Sequence, residues 1–344
     1  MVTATILTPY RRGFELLRQM PQVSAMTLIR FGPDALRASR FALSPLAETF
    51  SCLLGLRREL DGGRPGPQAR ELAGWLDDNP FAAGLVRLVS ATKYLPDFVA
   101  LPPSSMTTRF TDELAQLRAI PDPQARATIA ESRRHAWIAA DTDWADRDGI
   151  ATAAADVFAH IWHQFVAPDW ARRRAIMERD IRHRAGIIAT HGWRHALDGL
   201  GKLRWAEPDA ILFSTRGHTD PAVGAEGLVL VPHTGTAGRW ICQAPNRTAV
   251  VYPARGILGD LDPHPGGITT LIGDGRARIL ATLRDPATPS QLAALLGVSL
   301  GTVSGHLAAL RTAGVIVARR SGRAVYYERT TPGDQLIALM TAGD

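Results

Sequence analysis

The sequence predicts an α+β chain in which helices come first, strands second and a small mixed unit last, and three observations carry that prediction. Between 46 and 200, apolar residues recur at helical spacing, and the runs are cut by Pro and Gly. Between 202 and 252, short runs rich in Val, Ile, Trp and Tyr are separated by Gly, Pro and Asn, as strands are. From 288 to 327, TPSQLAALLGVSLGTVSGHLAALRTAGVIVARRSGRAVYY reads as two short helices followed by a β-hairpin. The expected architecture is a mainly helical N-terminal domain with a small antiparallel sheet, followed by a C-terminal winged helix-turn-helix.

The chain has 344 residues, more than one typical domain, and its apolar fraction of 46% supports a real core. Residues 1–25 read as an N-terminal extension. A fresh start follows at Met26, where TLIRF reads as a strand that joins the sheet. Helices are expected over 46–60, 68–76, 81–91, 111–120, 123–139, 150–166 and 168–200, the last with a break near Gly192. DGGRPGP, the Pro-rich KYLPDFVALPPSS and the acidic ADTDWADRDG are the connectors between them. Strands are expected over 202–205, 210–214, 227–231, 239–243 and 248–252. The reading makes 26–260 an effector or dimerisation domain, 261–266 a linker and 267–344 the winged unit. Within that unit, 268–283 is its first helix, and Thr331-Pro332 starts a last one.

The stretch from 288 shows its element boundaries most clearly. Thr288 caps a helix, Pro289 suits its first position and Gln291 completes a T-x-x-Q capping box. Gly297 is a left-handed stop, and Ser299 caps the next helix. Val303, Leu307 and Leu310 then face inward, while Thr302, Gly305, His306 and Ala309 face out. Gly314 ends that helix, and VIVAR and AVYYE flank a basic Arg320-Ser321-Gly322-Arg323 turn.

Charge agrees with a polyanionic partner. The net charge is +6; from residue 267 onward eight Arg against five acidic residues give +3, and the 266 residues before give the other +3, so the tail is the denser part. Two cysteines, Cys52 and Cys242, are too few for a disulfide framework and suit a reducing cytoplasm. No run approaches the ~18 uninterrupted apolar residues of a membrane span. Neither G-x-S-x-G, nor a phosphate-binding glycine loop, nor H-E-x-x-H is present, so no catalytic residues are assigned.

The same residues resemble the winged-helix domain of ArsR-type transcriptional regulators. The likeness runs through Leu292-Ala293, Leu296-Gly297-Val298-Ser299, Thr302-Val303-Ser304, His306-Leu307, Leu310, Ala313-Gly314 and the wing with Tyr326-Tyr327. Upstream, MTLIRFGPD from Met26, RFALSPL from Arg40, YLPDF from Tyr94, the segment from Trp162-His163 to Trp170 and VVYPARG from Val250 resemble a long domain of unknown function. That domain precedes such winged helices in high-GC bacterial regulators. The resemblance implies a ligand-responsive repressor that binds double-stranded DNA as a cytoplasmic homodimer, with no cofactor. Its DNA-binding residues would be Ser299, Thr302, Ser304, Gly305, His306, Arg311, Arg319, Arg320, Arg323 and Tyr326. Gly301 and Gly305 depart from the family, where longer side chains are common, so direct base readout is expected to be sparse. The alternatives are an enzyme or small-molecule-binding protein with a secondary winged helix, or a protein-interaction module recruited to DNA.

Members of that family often sense metals, but the expected thiol pair is absent from SQLAALLG, and GDQLIALM lacks His. The pairs His160/His163 and His191/His195 have helical spacing but no evident further ligands. Trp162, His163, Phe165 and Trp170 form the candidate pocket for a small-molecule effector, weighed against plain core filling. The arginine run from Arg172 to Arg184 is either a second DNA contact or, given Glu178 and Asp180 within it, a solvated helix face.

Overall fold

In the computed structural model the described residues are 27–63, 65–92, 94–137, 142–198, 200, 203–214, 221–235, 238–255 and 272–341. The expected extension (1–25), the linker (261–266) and the start of the helix expected from 268 lie outside them.

The helical body is built on α2 (Pro45–Asp61) and α7 (Ile150–Ile161), with α3 (Pro67–Asp77), α4 (Pro80–Ser90), α5 (Phe110–Arg118) and α6 (Asp122–Arg134) around them. The start of α2 is fixed by Ser44, whose hydroxyl accepts from Ala47 N at 3.0 Å, and by Pro45 at the first position. On α7, Ala151, Ala154 and Ala155 are buried; their small side chains let neighbouring backbones approach while Phe158 and Ile161 fill the core with Phe50 and Leu53. The expected 150–166 helix is regular to Ile161, then widens into a π turn at Trp162–Val166 and a 3-10 turn at Ala167–Asp169. From there α8 (Trp170–Leu197) runs on, broken at Gly192, where φ 79 and ψ 174 suit glycine. Its last turn places Trp193 against Phe41 at 5.9 Å. A four-residue α1 (Ala35–Ala38) lies between the first two strands.

The strands form two four-stranded sheets. One has the order β3 (Arg204–Glu207), β4 (Ala210–Ser214), β1 (Thr27–Phe31), β5 (Ala222–Val223); the other is β2 (Arg40–Phe41), β6 (Leu228–His233), β8 (Arg247–Pro253), β7 (Trp240–Ala244). The α+β class holds and β1 joins the sheet as expected, but a single antiparallel sheet is not what forms. The pairs β1–β5, β2–β6 and β6–β8 are parallel. The cause is burial on both faces: every residue of β6 is buried, as are Thr248 to Tyr252 of β8.

The C-terminal unit comprises α9 (Asp274–Thr282), α10 (Pro289–Leu296), α11 (Leu300–Thr312), β9 (Ile316–Ser321), β10 (Ala324–Arg329) and α12 (Thr331–Thr341). Its own core holds Ile279, Leu280, Leu292, Val303, Leu307, Leu310 and Ile316. An extra bridge, Ala287 with Tyr327, ties the hairpin to the chain before α10. No single helix among the described residues is long and apolar enough to cross a membrane.

Candidate nucleic-acid interface

The helix-turn-helix is held by the caps its sequence promises. Gln291 N donates to Thr288 Oγ1 at 3.3 Å, and Thr288 N donates to Gln291 Oε1 at 3.0 Å. Gly297 closes α10 in the left-handed region (φ 67, ψ 31), and Ser299 Oγ accepts from Thr302 N at 3.1 Å to open α11. The two helices meet at 115°. Val303, Leu307 and Leu310 point into the core, leaving Leu300, Gly301, Thr302, Ser304, Gly305, Ala308 and Ala309 exposed. Thr302 and Ser304 thus stand where the sequence put them, although the Thr302 hydroxyl is also within 2.9 Å of Ser299 Oγ.

His306 departs from the expectation that it faces out. It is only partly exposed, and a Cβ added at Gly275 of α9 would lie 2.6 Å from its Nε2. The ring fills the space that Gly275 leaves, so it sits on the flank of α11. Arg311 is exposed at the far end of that helix.

The wing pairs Ser321 with Ala324 around Gly322, whose φ of 58 the tight turn requires. Arg323 is exposed. Arg320 Nε donates to the Gly322 carbonyl at 3.3 Å, and Arg319 forms an ion pair with Glu328 across the strands. Along β10 the side chains alternate. Tyr327 packs into the winged-helix core, and Tyr326 meets the Arg182 guanidinium of α8, 5.3 Å from its ring centre. The expected DNA-contact residue Tyr326 therefore also joins the wing to the long helix.

This contact belongs to a seam the sequence did not signal. Arg179 Nε reaches Asp285 Oδ2 at 2.8 Å, Arg182 Nη1 donates to the Pro286 carbonyl at 2.5 Å, and Gln291 Nε2 donates to Glu178 Oε2 at 2.7 Å. Between them Leu295 of α10 packs on Ala175 and Ile176. On its other side α8 is fastened by buried charge. Glu48, fully buried, accepts from Arg173 Nη1 at 2.6 Å and from Thr234 N at 2.8 Å, with the Thr234 hydroxyl as a third donor. Buried Asp180 accepts from Arg184 Nε at 2.9 Å, Tyr252 Oη at 2.7 Å and Arg255 N at 3.0 Å. Neither reading of the arginine run survives in full: Arg173 and Arg184 are internal ion-pair partners, Arg179 and Arg182 dock the winged helix, and Arg174 pairs with Glu178 at the surface. The partners lie up to 125 positions away, beyond the reach of any local pattern.

The candidate effector residues do not line either described groove. Phe165 is buried, His163 is exposed, and Trp162 stacks on Phe110 at 4.4 Å and meets Trp170 edge-on at 5.1 Å. One groove of 720 Å³ is lined by Trp75, Phe81, Trp144 and Arg147, and another of 560 Å³ by Arg126, Arg133, Arg134 and Thr142. Among the described residues no group of three or more His, Cys, Asp and Glu could hold a metal ion. His160 stacks on Trp75 at 4.0 Å, and His195 Nδ1 is bonded to the His191 carbonyl at 2.9 Å.

A nucleophile–base pair does occur, deep inside. Ser51 Oγ is 2.7 Å from His233 Nδ1, while His233 Nε2 is 2.8 Å from the Gly238 carbonyl and so carries the proton. Ser51 is 3% and His233 0% exposed, which closes the pair to any substrate, and burial lowers the His233 pKa. Burial also pushes the Cys52 thiol up to about 11 and the Cys242 thiol up further.

Residues 276–319 match the protein-family model described as a helix-turn-helix domain. Over 53 residues the chain is 49% identical to the HTH-type transcriptional regulator CmtR of Mycobacterium tuberculosis (strain ATCC 25618 / H37Rv) and equally to that of Mycobacterium bovis (strain ATCC BAA-935 / AF2122/97). That span is 15% of this chain and 45% of each relative, so the chain covers under half the length of these curated relatives. No solved structure matches. The matched helix-turn-helix domain lies in the C-terminal unit.

Proposed function

We propose that this chain is an ArsR-like, DNA-binding transcriptional regulator, a ligand-responsive repressor that acts as a cytoplasmic homodimer. The observation that carries the reading is α11: a capped helix inside the matched helix-turn-helix, with its hydroxyl-bearing N-terminal half exposed and a wing ending in Arg320 and Arg323 beside it. Neutral groups on α11 would meet base edges in the major groove, while the wing arginines would meet phosphates or a narrow minor groove. Two copies would read a two-fold site.

Residues 26–260 are assigned the sensing role because α8 touches both parts of the chain. The reading does not invoke a thiolate metal sensor: α10 carries no cysteine, and burial keeps both thiols protonated near neutral pH. A genome-wide binding map, followed by affinity measurements on the sites found, tests the proposal. It expects a sequence preference of 10³-fold or more over scrambled duplex, on the order usual for specific regulators, and an affinity that changes with one class of small ligand. Equal affinity for cognate and scrambled DNA would reject it.

A further inference from the structure

The base-reading surface of α11 is unusual in what it lacks. From Val298 to Leu310 there is no Arg, Lys, Asn or Gln, the side chains that make paired hydrogen bonds to purine edges. What stands exposed instead is apolar or carries a hydroxyl. Leu300, the first residue of α11, is 51% exposed and Val298 is 37% exposed. Only five large apolar side chains stand out as exposed among the described residues, and a third of this group, Val325, is 41% exposed beside the wing turn. Three of the five therefore fall within 28 residues of the C-terminal unit. No tertiary contact accounts for them: they lie outside the core that holds Val303, Leu307 and Leu310. Leu300 and Ser304 are one turn apart and so share a flank of α11, with Thr302 on the other. Gly301 and Gly305 lie between these flanks, and a Cβ at Gly305 would meet nothing within 4 Å. They set only how closely the helix backbone can approach a partner.

In the major groove the one apolar feature a base presents is the C5-methyl group of thymine. We propose that α11 recognises its operator chiefly through thymine methyl groups, with Leu300 as the principal contact and the Thr302 methyl as the second. The inference rests on the DNA-binding reading above and adds the base chemistry. Burying one methyl between Leu300 and a thymine gives about fourfold in affinity. Such contacts discriminate less per position than a bidentate purine pair, so the preference at each contacted thymine is modest.

The test replaces operator thymines by deoxyuridine, one position at a time, which removes only the methyl group. Full-length protein is titrated against each duplex, with 7-deazapurine duplexes as the contrasting set. At one or two thymines per half-site, deoxyuridine is expected to weaken binding about fourfold. In a homodimer Leu300→Ala removes the contact from both half-sites, so it should weaken binding to the thymine operator about 16-fold. It should leave an operator with deoxyuridine at the matching position of both half-sites unaffected, so the two changes are not additive. Leu300 is surface-exposed, and circular dichroism with a melting curve confirms that the variant is folded. An operator bound equally well with uracil at every position overturns the proposal while leaving sequence-specific binding intact. Loss only on the 7-deazapurine duplexes overturns it in favour of hydroxyl bonds to purine N7. Absence of any sequence preference, by contrast, removes the DNA-binding reading itself and this inference with it.

Discussion

Replacing Arg173 by Met tests whether buried charge holds α8 in place. Glu48 is fully buried, and its three donors are Arg173, the Thr234 amide and the Thr234 hydroxyl. Only Arg173 brings charge. Breaking a buried ion pair from one side costs about 3–5 kcal/mol because the partner charge is left uncompensated. Arg173→Met should therefore lose about 3–5 kcal/mol at pH 7 in urea denaturation. Pairing the change with Glu48→Gln removes the stranded charge and should recover much of the stability. A single variant within about 1 kcal/mol of the parent, or a double variant no more stable than the single one, would refute the reasoning.

Three further outcomes are expected. Arg323→Ala should weaken binding to cognate and scrambled duplexes alike and lower the slope of log affinity against log salt by about 0.9 per lost phosphate contact, read by titration at several salt concentrations. Arg182→Ala removes the guanidinium over Tyr326 and should cost the docked wing about 0.5–2 kcal/mol, seen as faster amide exchange in β10 while the Val303 and Leu307 amides stay protected. Glu113 is pushed up to about 7 by desolvation despite accepting from Ser44, Leu46 N and Thr108. Because its folded pKa lies above the unfolded value, the folded state binds more protons between about pH 4.5 and 7. Stability from this group should fall across that window as pH rises, and Glu113→Gln should remove the slope.

The elements that were legible in the sequence are those closed by local chemistry. Thr288, Pro289 and Gln291 announce the start of α10 because the capping box is made within four residues, and Ser44-Pro45 does the same for α2. Gly192 marks the break in α8 because no other residue adopts its backbone angles cheaply. The helix expected over 123–139 stops at Arg134, where His135 takes a non-helical ψ of 3 and stacks on Tyr94 at 4.8 Å. The two-residue strands β2 and β5 are too short to show a pattern. Parallel pairing was readable in part: GLVLV and TAVVY are unbroken apolar runs, as strands covered on both faces are, but nothing local says that Arg40 pairs with Val229. In the candidate interface, helical period turned Thr302, Gly305 and Ala309 outward, where they are exposed, and misjudged His306, because the space at Gly275 that receives its ring comes from another helix. The tryptophans that follow one another along the chain are spread over different parts of the fold. Trp162 and Trp170 sit in the helical body, Trp144 lies on Phe81, and Trp193 and Trp205 pack beside the first strand sheet.

The strengths of the contacts on the two sides of α8 set the order in which they give way. Toward the long domain it is held by Glu48–Arg173 and by the hydrogen bonds that Asp180 accepts from Tyr252 and the Arg255 amide; the side chains of Glu48, Arg173, Asp180 and Tyr252 lie between 0% and 12% exposed. Breaking the Glu48–Arg173 pair from one side costs about 3–5 kcal/mol. Toward the winged helix, Arg179–Asp285 is 17% and 30% exposed, and a partly solvated pair of this kind contributes only about 1 kcal/mol. The Arg182–Tyr326 stack adds about 0.5–2 kcal/mol and the Glu178–Gln291 bond about 1.5–3 kcal/mol. The apolar part of this seam is small, Leu295 against Ala175 and Ile176. Any displacement of α8 therefore meets its least resistance on the winged-helix side, at Asp285, Gln291 and Tyr326. Those three residues lie just before α10, on α10 and in the wing, so loosening them alters how the helix-turn-helix and the wing are held relative to the long domain without disturbing the core beneath α11.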